Sequence, residues 1–305
     1  MVPEIDFKAM EVGCKTHYLD SGSFSLWGQA DTYAKEHPGD PWGFYNTKKF
    51  YDYLHAYVRF VNKFKDGIDY HSNVDVIGNP ELTYRNQKYL EGKGLKPVPV
   101  VHYKTDLKWL KKYIEEGYDY VALGGVVGSG SKPACRDWID RAFDLVCDQP
   151  SRLPRVRIHG FGVTTYDLMR RWPWYSVDSA RWTKAGAYGM ILVPHMRGGK
   201  FVFDEMPYMV FVSSQSDSRG GLPGQTFAGL GKAEKRIVLA WLEEIRIPFG
   251  EYDADGTVLL QGVSTRHSER KAANLLFFER LRKSLPAYPW PFHGPVKGSG
   301  FGMYA

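Results

Sequence analysis

Through roughly its first 180 residues the chain alternates short apolar runs with amphipathic stretches. That rhythm restricts it more than any other feature, because it is the pattern of β/α units laid around a parallel sheet. The expected strands are Thr16 to Leu19, Val74 to Ile77, Val98 to His102, Tyr120 to Leu123, Val156 to His159 and Tyr175 to Val177. Between them, apolar residues recur at helical spacing: Phe50, Leu54, Val58 and Val61, then Leu107, Leu110 and Ile114, then Ile139, Phe143 and Val146. Each stripe is expected to face the sheet. Thr105 and Thr164 stand where N-caps belong, and Gly92 and Gly117 where helices should stop.

Beyond about residue 183 the rhythm changes. Met190 to Val193, Phe201 to Phe203 and Met209 to Val212 read as strands joined by short turns, one of them Arg197-Gly198-Gly199-Lys200. The Ser- and Gly-rich tract Ser213 to Gly231 reads as a long surface loop. Two helices follow, one with Ile237, Trp241 and Ile245 on a face, the other with Phe277, Leu281 and Leu285. Pro286 to Ala305, rich in Pro, Gly and aromatics, is expected to be irregular.

Composition narrows the function classes. With 305 residues, 43% of them hydrophobic, the chain can bury a substantial core, so disorder is not its main character. The three cysteines, Cys14, Cys135 and Cys147, are too few and scattered for a disulfide framework or a zinc cluster, so no metal is expected. The first fifteen residues carry acids and lack an apolar core of signal-peptide length, and no run approaches about 18 apolar residues. The expectation is a cytoplasmic chain without a membrane partner. Forty Lys and Arg against 34 Asp and Glu leave a net charge of +6, with 9 Trp and 20 Tyr. That mixture suits a polyanion whose bases stack on aromatic rings, and equally a large aromatic core.

Chemistry in β/α proteins gathers at the carboxyl edge of the sheet. Leu19-Asp20-Ser21-Gly22-Ser23-Phe24, Asn73-Val74-Asp75-Val76 and Ser176-Val177-Asp178-Ser179 put three acids at expected strand ends. Such acids in one apolar-walled pocket would perturb one another's protonation, as general acid/base and nucleophilic chemistry requires. The run Gly124-Gly125-Val126-Val127-Gly128-Ser129-Gly130 lacks both the Lys-Ser/Thr ending of a P-loop and Rossmann spacing, so neither an NTP nor a dinucleotide cofactor is expected. Close backbone approach to a flat ligand is the better reading. His159 is as compatible with a core position as with ligand contact.

Asp20-Ser21-Gly22-Ser23-Phe24 resembles the DSGGF motif of the tRNA-guanine (queuine) transglycosylase family, and an Asp strand, a Gly-Gly strand, a Gly-x-Gly strand and a late Asp strand follow in similar order. His159-Gly160-Phe161-Gly162-Val163-Thr164 with Trp174-Tyr175-Ser176-Val177-Asp178-Ser179 is more similar to the shorter bacteriophage members, implicated in placing 7-deazaguanines in DNA. The resemblance covers about residues 16 to 185. It implies an α/β, (β/α)8 TIM-barrel-like fold with irregular closing strands and C-terminal helices, the transglycosylase domain over 1–215 and a loop-and-helix extension over 216–305. The family's cysteine-rich zinc element is absent, and Asp20 lies too near the N-terminus for two earlier strands. The strands after residue 188 are expected to close the barrel instead.

The same resemblance implies roles. Asp178 matches the nucleophile and Asp20 the general acid/base, while Asp75 matches the acid that reads the purine edge. Gly124 and Gly125 match the glycines beside the base, and His102 stands where the family often has Gln. Ser21, Phe24 and His159 complete the expected base site. Around the nucleophile, Arg170, Arg171, Trp174, Arg181 and Lys184 are expected to hold phosphates and stack bases, with Trp172 and Trp182 as further candidates. The expected partners are DNA, or alternatively tRNA, and a free 7-deazaguanine, with no cofactor. A homodimer and a phage source, hence host cytoplasm, stay open. A retaining glycoside hydrolase also uses two carboxylates, but more often Glu, and no Glu ends an expected strand. A non-catalytic nucleic-acid-binding module is the remaining rival.

Overall fold

In the computed structural model the described residues are 16–126, 132–163, 166–178, 180–213 and 226–294. They form a mixed α/β structure of helices and parallel sheets in two compact units. The first comprises Met1–Phe161, Trp174–Ser176 and Pro291–Ala305, the second Gly162–Pro173 and Val177–Trp290. Among the described residues, no helix is long and apolar enough to cross a membrane.

In the first unit β1 (Tyr18–Leu19) runs parallel to β2 (Tyr70–His71), with Leu19 opposite His71. A parallel bridge from Ser72 to Val98 leads to β3 (Val100–His102). There follow β4 (Tyr120–Gly124), β5 (Arg157–Gly160) and β6 (Ser176–Val177), in the sheet order β3-β4-β5-β6. Spatial order therefore follows chain order, as successive β/α crossovers produce. The connecting helices are α1 (Ser23–Glu36), α2 (Lys48–Phe64), α3 (Pro80–Glu91), α4 (Lys108–Glu115) and α5 (Pro133–Val146). Thr47 caps α2 by accepting the Phe50 N–H, and the helix buries Phe50, Leu54, Tyr57 and Val61. Each such side chain contributes about 1.5–3 kcal/mol on leaving water. Asn79 caps α3, Pro80 opens it and Gly92 closes it. On α5, Ile139, Phe143 and Val146 are buried as their spacing predicts.

Two local expectations need correction. The strand expected at Val74 to Ile77 lies earlier, at Tyr70–His71, and residues 73–76 form a buried irregular segment. Side chains of α3 satisfy its backbone: Thr83 Oγ1 accepts the Val76 N–H at 2.9 Å, and Asn86 Nδ2 donates to Val74 C=O at 2.8 Å. The apolar alternation is real, but its hydrogen-bond partners are polar side chains on a helix, so no ladder forms. Thr105 is no N-cap. Its hydroxyl donates back to His102 C=O at 2.6 Å, and α4 begins after Leu107. Thr164 lies outside the described residues.

The second unit holds α6 (Tyr166–Arg171), α7 (Arg181–Ala187), β7 (Met190–Val193), β8 (His195–Arg197), β9 (Lys200–Val202) and β10 (Tyr208–Phe211). β7 pairs antiparallel with β10, and β8 with β9. The β8–β9 turn needs positive φ at both central residues, which Gly198 and Gly199 supply at 56° and 74°. α8 (Lys232–Glu244), the hairpin β11 (Glu251–Tyr252) with β12 (Val258–Leu260), and α9 (His267–Ser284) complete it. Buried Asn274 on α9 accepts the Leu192 N–H and donates to the carbonyls of Trp182 and Met190, fixing α9 against β7. Most of the expected loop, residues 214–225, lies outside the described residues.

Candidate active site

Because β1 to β4 are parallel, their carboxyl ends share one edge, and four of the expected site segments lie there. Asp20 follows β1, Asp75 follows β2, His102 ends β3, and Gly124 ends β4 with Gly125 directly after it. His102 stands opposite Gly124 in the ladder. Asp75 and His102 are 6% and 5% exposed, and His102 Nε2 lies 2.8 Å from Asp75 Oδ2. The pair is a buried, charge-assisted hydrogen bond between the irregular segment after β2 and the end of β3. Gly124 makes room for it. A Cβ there would stand 2.9 Å from His102 Cδ2 and 3.3 Å from Nε2. Gly125 has φ of 73°, a left-handed conformation that favours glycine. Residues 127–131, the rest of the glycine run, lie outside the described residues.

The loop after β1 is held from below. Tyr53 donates its hydroxyl to Ser21 C=O, and Ser21 N–H donates to Ser72 Oγ at 3.2 Å. Ser21 is buried and shares a 2.8 Å hydroxyl bond with Ser23. Gly22, with φ of 74°, turns the chain into α1, and a Cβ on it would strike the Tyr53 hydroxyl at 2.8 Å. This leaves Asp20 exposed, its Oδ1 accepting the Gly22 N–H at 3.4 Å. Phe24 is 74% exposed, with its ring 5.8 Å from that of Trp27.

Electrostatics tie the two carboxylates to the same hydroxyls. Burial pushes the Tyr18 and Tyr57 phenols well above their ordinary range, and the charges of Asp20 and Asp75 both add to it. Burial, and then the charge of Asp20, raise the Tyr53 phenol as well. These tyrosines therefore remain neutral near the acids. Sequence reasoning passed over Tyr53, Tyr57 and Ser72. Tyr57 was legible, since it lies on the buried stripe of α2.

His159 faces a different environment. It is buried, stacked on Tyr18 at 4.6 Å, edge-on to Phe161 at 4.5 Å, and its Nδ1 is 2.7 Å from Ser176 Oγ. The Tyr120 hydroxyl shares the same serine at 2.7 Å. Burial lowers the His159 pKa to about 4, so the ring is neutral at pH 7 and packs as a polar member of an aromatic cluster.

Asp178 belongs to the second unit. Its Oδ1 accepts the Gly162 N–H at 2.8 Å. Although the residue is exposed, the protein massed around its carboxyl raises the pKa, against the lowering effect of that N–H. Ser179 lies outside the described residues. Of the expected phosphate-binding residues, Arg170 and Lys184 are exposed, Arg170 bonding the Tyr166 hydroxyl at 2.9 Å. Arg171 lies over the Trp172 ring at 5.1 Å, and Arg181 Nη2 lies 3.3 Å from the Met209 sulfur. Trp172 is 0% and Trp174 4% exposed, Trp174 meeting Phe143 edge-on at 5.0 Å in the first unit. An indole so enclosed has no face left for a base, so the stacking role expected of these two tryptophans falls away.

Among the described residues, no group of three His, Cys, Asp or Glu side chains is placed to hold a metal ion. Cys135 and Cys147 are buried, with thiols pushed up to about 11 by burial, and Cys14 lies outside the described residues. No protein-family model, curated protein or solved structure matches the chain.

Proposed function

We propose that the protein is a base-exchanging guanine transglycosylase that replaces a guanine in DNA by a 7-deazaguanine, on a TIM-barrel-like arrangement of its sequential parallel strands. The observation that carries this reading is the buried Asp75–His102 pair on the strand edge that also bears Asp20 and Gly124-Gly125. That set offers acceptors to a donor-rich heterocycle at the place where β/α proteins hold ligands.

The chemistry balances without a cofactor. As the C–N bond at C1′ breaks, positive charge develops on the sugar, and the Asp178 carboxylate forms a bond to C1′. The departing guanine takes a proton from Asp20. An incoming 7-deazaguanine returns a proton to Asp20 as its nitrogen attacks C1′, and the Asp178–sugar bond breaks. A guanine within a duplex must first leave the stack to expose C1′.

The test is incubation with DNA and, separately, tRNA carrying labelled guanine. Release of label from DNA that depends on added 7-deazaguanine is expected, together with a denaturation-resistant protein–DNA adduct that Asp178→Asn abolishes. Release from tRNA alone would move the reading to the tRNA enzyme. No release from either, or release without an added base, would reject base exchange.

A further inference from the structure

Asp20 lies exposed between β1 and α1, yet the two peptide units that flank its Cα are bonded to one buried atom. Ser72, 0% exposed, accepts the Ser21 N–H on its Oγ at 3.2 Å and donates from the same Oγ to Leu19 C=O at 3.2 Å. The Leu19 carbonyl belongs to the planar peptide before Asp20 and the Ser21 amide to the one after it, so a single hydroxyl restrains the backbone on both sides of that residue. Only a group that donates and accepts at once can do this, which alanine cannot. The next peptide is gripped as well, because Tyr53 donates its hydroxyl to Ser21 C=O. Burial, with the charge of Asp20, keeps that phenol protonated and hence a donor. The clamp is itself anchored. Ser72 N–H donates to Leu19 C=O at 3.0 Å, and the Tyr57 hydroxyl donates to Ser72 C=O at 2.7 Å. None of these bonds engages the Asp20 carboxylate.

We propose that Ser72 and Tyr53 are positioning residues for Asp20, holding its backbone from the buried side so that its carboxylate is presented in one place. The role of Asp20 as proton donor and acceptor rests on the transglycosylase reading, whereas the clamp does not. A proton passes to a departing ring nitrogen only across hydrogen-bond distance, and a displacement of about 1 Å costs on the order of a hundredfold in rate. Ser72 directly follows β2, and Tyr53 lies on α2 beside the buried stripe of Phe50, Leu54 and Tyr57, so the acid takes its position from the core of its unit. Neither hydroxyl touches substrate in this account. The loss of either therefore falls on the chemical step and not on binding.

Tyr53→Phe and Ser72→Ala, each removing one hydroxyl, test this in labelled-guanine exchange and in amide hydrogen exchange followed by NMR. In both variants kcat should fall roughly ten- to hundredfold, while KM for DNA and for the free base stays near the wild-type value. A wild-type kcat in either variant, or a loss confined to KM, overturns the proposal. The Ser21 amide should exchange at least about tenfold faster in Ser72→Ala, with the amides of β4 as slow as in the wild type. An unchanged Ser21 amide, or faster exchange throughout the unit, overturns it too. Tyr53 is only half-buried, so Tyr53→Phe decides if Ser72→Ala fails to fold. The two ideas fail separately. A wild type that exchanges label as fast as both variants leaves the function and removes the positioning role. A wild type that exchanges no label, with the Ser21 amide released by Ser72→Ala, removes the function and leaves the clamp.

Discussion

Gly124→Ala tests whether the glycine is there to seat His102. The new Cβ would lie 2.9 Å from His102 Cδ2, 3.3 Å from Nε2 and 3.5 Å from Val100 Cγ1. Ordinary carbon–carbon contact is about 3.5–4.0 Å, so the valine is tolerable and the imidazole is not. Nor can the ring give way freely, because it is tied to Asp75 at 2.8 Å and its backbone is in register with β4. Overpacking of this kind costs about 1–3 kcal/mol. Alanine recovers about 0.5–1 kcal/mol by restricting the unfolded chain and suiting a strand better. The net expectation is a loss of about 1–2 kcal/mol, or a melting temperature lower by roughly 3–6 °C for a unit of this size. The assay is chemical or thermal denaturation run as a double-mutant cycle with His102→Ala. Removing the ring removes the clash, so in that background Gly124→Ala should cost nothing and return its gain of about 0.5–1 kcal/mol, and the cost of leaving Asp75 unpaired cancels within the cycle. The same penalty in both backgrounds, or a gain in stability for the single variant, would refute the seating argument.

Burial lowers the pKa of His71 and of His159 to about 4, from 6.5, so the folded state keeps both neutral. Between pH 6.5 and 4 the unfolded chain then binds more protons, and stability should fall as pH falls through that window, on the order of 2–3 kcal/mol per histidine. Melting temperature against pH checks this, and His159→Phe should remove about half of the drop. Arg170 and Lys184 are exposed beside the proposed nucleophile in sequence, so their joint change to Ala should flatten the salt dependence of DNA binding by about 0.9 per lost phosphate contact, with free-base affinity unchanged. A salt titration of DNA affinity with the free base as control reads it. The thiols of Cys135 and Cys147, pushed up to about 11, should resist alkylation in the native protein at pH 8, as mass spectrometry of the labelled peptides will show.

What the sequence disclosed follows the range over which each feature is decided. The α5 stripe of Ile139, Phe143 and Val146 was legible because helical burial repeats within one turn. The β8–β9 turn was legible because only glycines readily take positive φ twice in succession. The β11–β12 hairpin went unread although Asp253 and Gly256 mark its turn, Asp253 Oδ1 accepting from both Asp255 and Thr257. Residues 73–76 were misread because the partners of their backbone are Thr83 and Asn86, side chains of the following helix that leave no trace in the alternation itself. Trp174 was misplaced for a related reason. Neighbouring arginines suggested a wet, basic surface, whereas its burial is set by Phe143, thirty-one residues away on α5.

The candidate site shows the same limit at higher stakes. Asp20, Asp75 and the two glycines could be placed on one edge from strand order alone, since parallel strands carry their ends together. Which group approaches Gly124 could not. A missing Cβ records that something comes close and is silent about what, and here the nearest atoms belong to His102. That ring lies there because β3 and β4 pair with His102 opposite Gly124, a register set by non-local pairing rather than by either strand's own residues. Once the register is known, the glycine, the histidine and the acid cease to be three separate signals. Changing any one of them should alter what the other two can hold.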